Sequence, residues 1–291
     1  MYYIIANPNA GTGKGKIVFE KVRKYLDENQ IKYKAFLTEF EEHSIDLTHM
    51  ALAEGARMII AIGGDGTFME VATAIGDRDD VAIGFIPAGN GNDFAYSAGI
   101  PDDAIVALEG ILKKEATELD YIKCNGVKCL NACGTGLDTE VLQKYMKMPK
   151  RGKFSYVKCL LKVLLKFEYH RLKINIDNLQ TIEDDYMLVS CCNGKRFGAK
   201  IMICKDADME DSLMDLVVIK KFPKWKIPFL LLTFLRGNHL NKSWCVHIKC
   251  KYAKIEKVDG SNITINVDGQ LFETSKMEAE IKPCKLLCLN Q

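Results

Sequence analysis

The stretch MIIAIGGDGTFME, residues 58–70, places an apolar run directly before a loop of three glycines and one aspartate. Such a run is typical of a strand that is buried on both faces of a parallel sheet. Glycine has no Cβ atom and adopts positive φ, so backbone N–H groups in the loop can approach an anion closely. A helix that begins near Phe68 would direct its positive N-terminus to the same place. The stretch therefore predicts a phosphate-binding loop, with an ordinary strand-to-helix turn as the alternative.

Two side chains of this loop suit phosphoryl chemistry. Asp65 can hold Mg²⁺ or polarise an attacking hydroxyl group, because a carboxylate is both a hard ligand and a proton acceptor. Thr67 can donate a hydrogen bond to a phosphate oxygen. Both side chains are therefore candidates for a nucleotide site.

The first 120 residues alternate between strand-like and helix-like patterns. Strands are predicted at Tyr2–Ala6, Lys32–Leu37, Met58–Ile62 and Val81–Ile86, and helices at Ile17–Glu28, Ser44–Gly55, Phe68–Ile75 and Pro101–Lys113. Such alternation indicates an α/β domain of three layers, in which helices cover both faces of a mostly parallel sheet. We assign this domain to residues 1–120.

Two further polar loops follow strands in this domain, at Asn7–Gly15 and at Gly89–Asp93. Ligands of parallel sheets bind at the carboxyl ends of the strands, so these loops and the glycine loop predict one site. The first loop is not a P-loop, because Gly13-Lys14 is followed by glycine, and the G-x-G-x-x-G fingerprint is absent. Alone, either loop would be an ordinary polar turn.

After Asp120 the apolar pattern changes to a period of two, which predicts antiparallel strands in a β-sandwich. Strands are expected at Tyr121–Lys123, Lys128–Cys133, Leu172–Ile176, Tyr186–Cys191, Asp215–Lys220, Cys245–Cys250, Lys254–Val258 and Ile263–Val267. Helical segments interrupt them at about residues 154–167 and 224–235. We assign this second domain to residues 121–291 and expect that the extreme C-terminus can return to the first domain.

Composition limits the possible functions. The chain has 291 residues, 48% apolar, and a net charge of +2, which indicates a globular protein and argues against a nucleic-acid partner. None of its eleven cysteines forms a C-x-x-C pair, and the apolar run Ile227–Leu235 is too short to cross a bilayer. The first residues have no basic region followed by a long apolar run, so we do not expect a signal peptide. The expected location is the cytoplasm.

Six motifs occur together in this chain. They are N-P-x-x-G at 7–11, GGDGT at 63–67, G-x-x-N-D-F-A at 89–95, ACGTGLD at 132–138, ADMEDSLMDL at 207–216 and VDG at 267–269. In this combination the chain resembles the diacylglycerol kinase and sphingosine kinase superfamily, in particular its soluble bacterial lipid kinases. GGDGT alone also occurs in NAD kinases and phosphofructokinases, so the combination is what identifies the family.

The resemblance implies an NAD kinase/diacylglycerol kinase-like fold and transfer of the γ-phosphate of ATP to the hydroxyl of a lipid such as diacylglycerol, with Mg²⁺ bridging phosphates. It implies that ATP binds between the two domains. The implied nucleotide-binding residues are Asn7, Asn9, Gly11, Thr38, Gly63, Gly64, Asp65, Gly66, Thr67, Asn90, Asn92 and Asp93. The implied metal site consists of Asp208, Asp211 and Leu213, with Asp208 and Leu213 binding through their backbone carbonyls. A solvated acidic turn is the alternative for this segment.

The chain departs from the family pattern at three positions. Asn90 stands where the family usually has Thr, Ser212 where it has Gly, and Gln270 where it has the Glu proposed as general base. An amide cannot accept a proton from a hydroxyl, and loss of a general base typically lowers the rate by about 10²–10⁴. Glu273 would point to the opposite face of a strand, which leaves Asp65 as the candidate base.

Gln270 and the occurrence of GGDGT in other kinases leave three functions open. The chain is an ATP-dependent lipid kinase, a lipid- or nucleotide-binding homologue that has lost catalysis, or an NAD kinase-like enzyme. A structural interpretation of Gln270 is also open: Asp268-Gly269 forms a hairpin turn, and Gln270 begins the strand that follows it. The acceptor is not specified, because diacylglycerol, a sphingoid base and a polyprenol all present a hydroxyl beside apolar chains.

Two segments combine basic and apolar residues, at 153–166 and 222–235. Such segments suit transient contact with an anionic membrane, although core packing and solvated helix faces explain the same pattern. Trp225 and the lysines at 221, 224 and 226 are the candidates for this contact. We therefore expect ATP, a lipid with a free hydroxyl and the inner membrane face as partners, and a homodimer is compatible with the family.

Overall fold

The computed structural model describes residues 1–113, 116–148, 153–198, 201–223 and 237–289, together with Lys226, Phe229, Thr233 and Phe234. Within these residues the chain divides into two compact units. The first unit contains residues 1–120 and the C-terminal residues from Pro283, and the second contains residues 121–282.

The first unit is built on a parallel sheet with the strand order β2-β1-β3-β4. Its elements are β1 Tyr2–Ala6, α1 Ala10–Glu28, β2 Tyr33–Leu37, α2 His43–Ala53, β3 Met58–Gly63, α3 Asp65–Ile75, β4 Ala82–Pro87, α4 Asp93–Ser97 and α5 Ala104–Leu112. The end of the last strand, β17 Lys276–Leu289, pairs in parallel with β4, Cys288 opposite Ile83. The predicted parallel α/β fold is confirmed.

Three phenylalanines support the region beneath the loops. Phe68 of α3 lies 4.5 Å from Phe85 of β4 and 4.3 Å from Phe94 of α4, measured between ring centroids. All three side chains are fully buried. Burial of such rings contributes about 1.5–3 kcal/mol each, and tilted ring pairs add to it. The starts of α3 and α4 are therefore fixed against the sheet by the same cluster.

The second unit is mainly antiparallel, as predicted for a β-sandwich. Its elements are β5 Ala116–Cys124, which begins in the first unit, β6 Val127–Cys129, β7 Ala132–Gly136, α6 Leu137–Met146, α7 Lys153–Lys166, β8 His170–Ile176, β9 Gln180–Cys192, β10 Arg196–Phe197, β11 Ile201–Met202, β12 Met214–Lys220, β13 Cys245–Cys250, β14 Tyr252–Lys257, β15 Ile263–Val267, β16 Gln270–Thr274 and most of β17. The sandwich prediction is confirmed.

The run Leu216–Ile219 of β12 is apolar at every position, and the packing of the strand explains why. Leu216 and Val218 pack into one core, whereas Val217 and Ile219 pack into a second core that also contains Val163 of α7. Because successive side chains of a strand point to opposite faces, the part of a strand that is covered on both sides has apolar residues in succession. The helical insertion at α7 therefore covers the second face of the sheet.

Several elements differ from the sequence expectations. Helix α3 begins at Asp65, three residues before Phe68, and α4 and α6 were not predicted. Most of the helical segment expected at 224–235, including Lys224 and Trp225, lies outside the described residues. The ten described cysteines are buried free thiols. No helix within the described ranges is long and apolar enough to cross a membrane.

Candidate nucleotide and metal sites

The three polar loops of the first unit meet at one edge of the parallel sheet. Asn7 follows β1, Gly64 follows β3 and Ala88 follows β4. The ladder continues into the loops, because the Asn7 N–H donates to the Ile62 carbonyl at 2.8 Å and the Ala88 N–H donates to the Gly63 carbonyl at 2.6 Å. The predicted convergence of the loops is therefore present in the structure.

Glycines allow these loops to approach each other. A Cβ atom at Gly11 would lie 2.2 Å from the Ala88 carbonyl oxygen, and one at Gly89 would lie 2.6 Å from the Gly64 Cα. Both distances are far below van der Waals contact, and the colliding atoms belong to the backbone, which cannot move aside as a side chain can. The loops can hold this arrangement only if both positions remain glycine.

The first loop contains a left-handed turn before α1 becomes regular. Gly11, Thr12 and Gly13 have φ values of 58°, 62° and 91°. A β-branched residue such as Thr12 rarely adopts positive φ, because its side chain collides with the backbone. Strained backbone of this kind is held in place by its surroundings and is concentrated at ligand-binding loops.

The loops line a cavity of about 320 Å³. Its walls contain Asn7, Ala10, Gly11, Thr38, Phe40, Glu41, Glu42, Gly64, Gly66, Thr67, Glu70, Gly89 and Asn90. The volume lies within the range of small-molecule sites, roughly 300–1,000 Å³. Seven predicted nucleotide-binding residues line it, and Asn7 additionally donates from Nδ2 to the Thr67 hydroxyl at 3.3 Å.

The other five predicted residues lie next to the cavity and support it. Asn9 donates its N–H to the Asn7 side-chain oxygen at 3.0 Å, and Gly63 ends β3. Asn92 and Asp93 are buried at the start of α4. Asp65 accepts a hydrogen bond at Oδ1 from the Phe94 N–H at 2.9 Å, so its carboxylate caps α4. Asp65 therefore joins the second and third loops.

Glu70 is a cavity residue that sequence reasoning missed. Its carboxylate accepts a hydrogen bond from the Ser44 hydroxyl. Burial raises the pKa of Glu70 and the nearby charges of Glu42 and Glu41 add to the rise, whereas the Ser44 hydrogen bond opposes it. Because Glu70 follows Gly66 by four residues on α3, helical spacing places it on the same face, a signal that the sequence contained.

The predicted metal segment precedes β12 in the second unit. Asp208 Oδ1 accepts the Glu210 N–H at 3.0 Å, and Asp211 Oδ1 accepts the Leu213 N–H at 3.0 Å. Asp211 Oδ2 lies 2.5 Å from Lys249 Nζ. An oxygen-only donor set fits Mg²⁺: the Asp211 carboxylate keeps lone pairs for it, and the backbone carbonyl oxygens of Asp208 and Leu213 are the other two predicted donors. Lys249 would compete with such a cation for Asp211.

Gln270 begins β16 and is exposed. The preceding turn contains Asp268 and Gly269 at φ values of 45° and 94°, the left-handed conformations that tight hairpins require. The Asp268 carboxylate accepts hydrogen bonds from the backbone N–H groups of Leu130, Asn131 and Ala132. The segment therefore folds as a hairpin, with Gln270 at the start of its second strand. This position is compatible with a chemical role for residue 270.

Asp138 is a buried carboxyl group near this hairpin. Its Oδ2 accepts a hydrogen bond from the Asn266 side chain at 3.2 Å, and Asn266 in turn accepts the Gly269 N–H at 2.8 Å. Burial raises the pKa of Asp138 to about 6, although the Asn266 hydrogen bond opposes the rise. The folded state therefore favours the protonated Asp138 carboxyl over a wider pH range than the unfolded chain does.

Comparisons with known proteins agree with this architecture. Residues 1–124 match the family model described as the diacylglycerol kinase catalytic domain, and residues 131–290 match the one described as the YegS C-terminal NAD kinase beta sandwich-like domain. A diacylglycerol kinase of Bacillus subtilis (strain 168) is 27% identical over 278 residues, covering 92% of this chain and 88% of the relative. A diacylglycerol kinase of Staphylococcus haemolyticus is 27% identical over 273 residues, covering 92% and 81%.

A solved structure from Bacillus anthracis, described as that of a diacylglycerol kinase, has the same fold. It superimposes with a TM-score of 0.76 at 20% identity and covers 100% of this chain and 96% of its own. The first family model spans residues 1–120 of the first unit, and the second model spans most of the second unit.

Proposed function

Because this chain belongs to the family of diacylglycerol kinase-like lipid kinases, we propose that it transfers the γ-phosphate of ATP to the hydroxyl group of a lipid, with diacylglycerol as the acceptor. The family and its kinase activity follow from the two matched domains. The names of the Bacillus and Staphylococcus relatives support diacylglycerol. The single observation that supports nucleotide binding most directly is the convergence of three glycine-containing loops around one cavity.

The cavity residues divide into two chemical groups. Gly64, Gly66 and Thr67 lie at the N-terminus of α3, where backbone N–H groups and the helix dipole favour phosphate. Glu41, Glu42 and Glu70 supply negative charge to another part of the wall, which favours amino groups and repels phosphate. We assign the triphosphate to the glycine loop and Thr67, and the base and ribose to the wall that contains Thr38 and Glu70.

In the reaction, the lipid hydroxyl oxygen attacks the γ-phosphorus, the bond to the bridging oxygen breaks, ADP leaves and the hydroxyl proton passes to a base. Asp65 is our candidate for that base, since Gln270 cannot accept a proton. Mg²⁺, when bound, would neutralise phosphate charge, and Asp208, Asp211 and Leu213 would hold a metal ion in the second unit. The loops would hold the phosphate groups in position for attack, and such positioning would account for most of the rest of the rate enhancement.

One specific observation favours a second candidate function, a lipid- or nucleotide-binding protein without catalysis. Gln270 is compatible with the hairpin and leaves its turn intact, so the fold tolerates the loss of the carboxylate. A homologue with these properties would still bind its ligands and would fail only at proton transfer.

Phosphorylation of a lipid mixture by radiolabelled ATP and Mg²⁺ separates these functions. We expect wild type to label diacylglycerol, Asp65→Asn to be inactive and Gln270→Glu to be faster. Asn at position 65 keeps an oxygen for the Phe94 N–H, so the loss of activity would not reflect a lost cap. Activity only in Gln270→Glu would identify a binding protein. Labelling of NAD in a parallel reaction would instead indicate an NAD kinase-like enzyme.

We also propose peripheral contact with an anionic membrane, through the exposed side chains of Lys221, Lys226 and Phe229. Lys226 and Phe229 are exposed, and Lys221 pairs with Asp185 at 3.0 Å while remaining largely accessible. An exposed aromatic ring beside lysines suits the boundary between headgroups and acyl chains. The expected homodimer stays a prediction, which sedimentation of the purified protein would test.

A further inference from the structure

A thiol, a carboxylate and an imidazole meet between three segments of the second unit. Cys204 lies after β11, Asp215 lies in β12 and His247 lies in β13. In the β12–β13 ladder, Asp215 is opposite Lys249 and Val217 is opposite His247, so the Asp215 and His247 side chains are diagonal neighbours on one face. Strand pairing therefore brings together residues that are distant in the sequence.

The ligand atoms of these three side chains all lie within 4.8 Å of one another. Cys204 Sγ is 3.7 Å from His247 Nε2, and the same Nε2 shares a 2.5 Å hydrogen bond with Asp215 Oδ1, which a bound metal ion would replace. In a tetrahedral zinc site, with bonds of about 2.3 Å to sulfur and 2.0–2.1 Å to nitrogen and oxygen, neighbouring ligand atoms are roughly 3.3–3.5 Å apart. The distance between the sulfur and the nitrogen is already close to this range. The carboxylate oxygen would have to move about 1 Å away from the nitrogen to reach it.

We propose that Cys204, Asp215 and His247 form a binding site for a divalent metal ion of the zinc class. A mixed sulfur, nitrogen and oxygen donor set suits Zn²⁺ and Co²⁺, whereas Mg²⁺ prefers oxygen alone. Three protein ligands leave a fourth position for water. The donor set thus differs in kind from the oxygen-only segment at Asp208–Leu213.

Burial and charge support a cation at this position. Asp215 and Cys204 are both buried, and His247 is partly exposed, so an ion can reach the cluster from the His247 side. A buried carboxylate requires compensating positive charge, which Lys249 Nζ supplies in part from 3.5 Å. A bound divalent ion would supply more of it, in competition with Lys249.

Metal binding at this site releases a proton. Burial raises the pKa of the Cys204 thiol to about 12, and the charge of Asp215 adds to the rise, so the metal-free thiol keeps its proton at neutral pH. When the metal–sulfur bond forms, the S–H bond breaks and the proton goes to solvent. Metal affinity should therefore rise with pH.

Titration of the chelator-treated full chain with Co²⁺ tests the proposal, because a cobalt–thiolate bond produces a charge-transfer absorption band. We expect one Co²⁺ per chain, with the band displaced by Zn²⁺. Cys204→Ser should abolish the band. His247→Gln should weaken Co²⁺ binding by at least about 10-fold, because even the loss of a group that supports a metal ligand typically has an effect of that size. Lys249→Met should strengthen binding, because it removes the competing ammonium group.

Three matched variants serve as controls. Cys245→Ser removes a buried thiol from the same strand as His247, His170→Gln removes a half-buried imidazole from β8, and Asp208→Asn alters the oxygen-only segment. All three should leave the thiolate band unchanged.

No thiolate band in wild type, or the same band in Cys204→Ser, would overturn the proposal. If Cys204→Ser fails to fold, the shift of the thermal unfolding midpoint on adding Zn²⁺ decides the question. A ligand of the folded state raises this midpoint, so wild type should respond and His247→Gln should respond less. Equal shifts in both proteins would also overturn the proposal.

Discussion

The two units keep their local geometry by different means. In the first unit, the loops approach each other at Gly11 and Gly89, where any Cβ would collide with backbone atoms. In the second unit, the β15–β16 hairpin is held by side-chain oxygens, those of Asp268 and Asn266. A glycine contact excludes every side chain at its own position. A side-chain cap, in contrast, leaves its neighbours free to change, and this is how glutamine can stand at position 270 without altering the turn.

The largest expected effect on stability tests the side-chain cap. Asp268→Ala would leave the N–H groups of Leu130, Asn131 and Ala132 without their common acceptor. At about 1–3 kcal/mol for each of the three unsatisfied N–H groups, we expect a loss of about 3–9 kcal/mol in the free energy of unfolding. Denaturant unfolding measures the loss. Gln270→Ala, two residues away and exposed, should change stability by less than about 0.5 kcal/mol, and equal effects would contradict the proposed role of Asp268.

The raised pKa of Asp138 leads to a prediction of how the free energy of unfolding depends on pH. Its pKa is raised from 3.8 to about 6 in the folded state, so the folded state binds more protons than the unfolded state between these values. The contribution of Asp138 to stability is therefore complete below the lower value and is lost as the pH rises through the window, by about 3 kcal/mol in total. Asp138→Asn should remove this decline. Unfolding curves at pH 4, 5, 6 and 7 for both proteins would reveal it, and parallel pH profiles would contradict the assignment.

The elements that the sequence predicted well are those whose signal is local. The strands β1 and β3 are continuous apolar runs, and the glycine loop directly follows one of them. Helix α4 was missed because it has only five residues and its first N–H groups are satisfied partly by Asp65, which belongs to another loop. A cap that comes from elsewhere in the chain leaves no mark in the helix's own sequence.

The side-chain clusters of the second unit depend on strand register. They could not be predicted from the sequence, because their members come from distant parts of the chain. Asp215 and His247 are 32 residues apart and meet through the pairing of β12 with β13. A period of two identifies strands, yet it does not specify which strands pair. A metal-binding role for Asp208–Leu213 is predicted only because the motif resembles the family's. The contact between Asp211 and Lys249 could not have been inferred from that motif.

The glycine contacts of the first unit make the next prediction. Gly11→Ala would place a Cβ 2.2 Å from the Ala88 carbonyl oxygen and force the first and third loops apart. A displacement of about 1 Å in an active site can lower kcat/KM by about 10²-fold, and we expect a loss of that order. Gly13→Ala is the matched control, since Gly13 also has positive φ but has no atom within 4 Å of an added Cβ. It should cost only about 1 kcal/mol of stability. Similar losses of activity in both variants would show that backbone conformation, rather than loop contact, matters.

The smallest expected effect concerns the surface of the second unit. Exposed lysines near an anionic membrane contribute about 1 kcal/mol each, so Lys221→Gln with Lys226→Gln should weaken binding to phosphatidylserine vesicles by about 2 kcal/mol, roughly 30-fold. Lys34→Gln with Lys254→Gln removes the same charge from ion-paired lysines elsewhere. Vesicle sedimentation at two salt concentrations compares the pairs. If both pairs weaken binding equally, net charge alone explains the attraction. If only the first pair does, the segment around residues 221–229 contacts the membrane, and the second unit combines a tolerant hairpin with a specific surface.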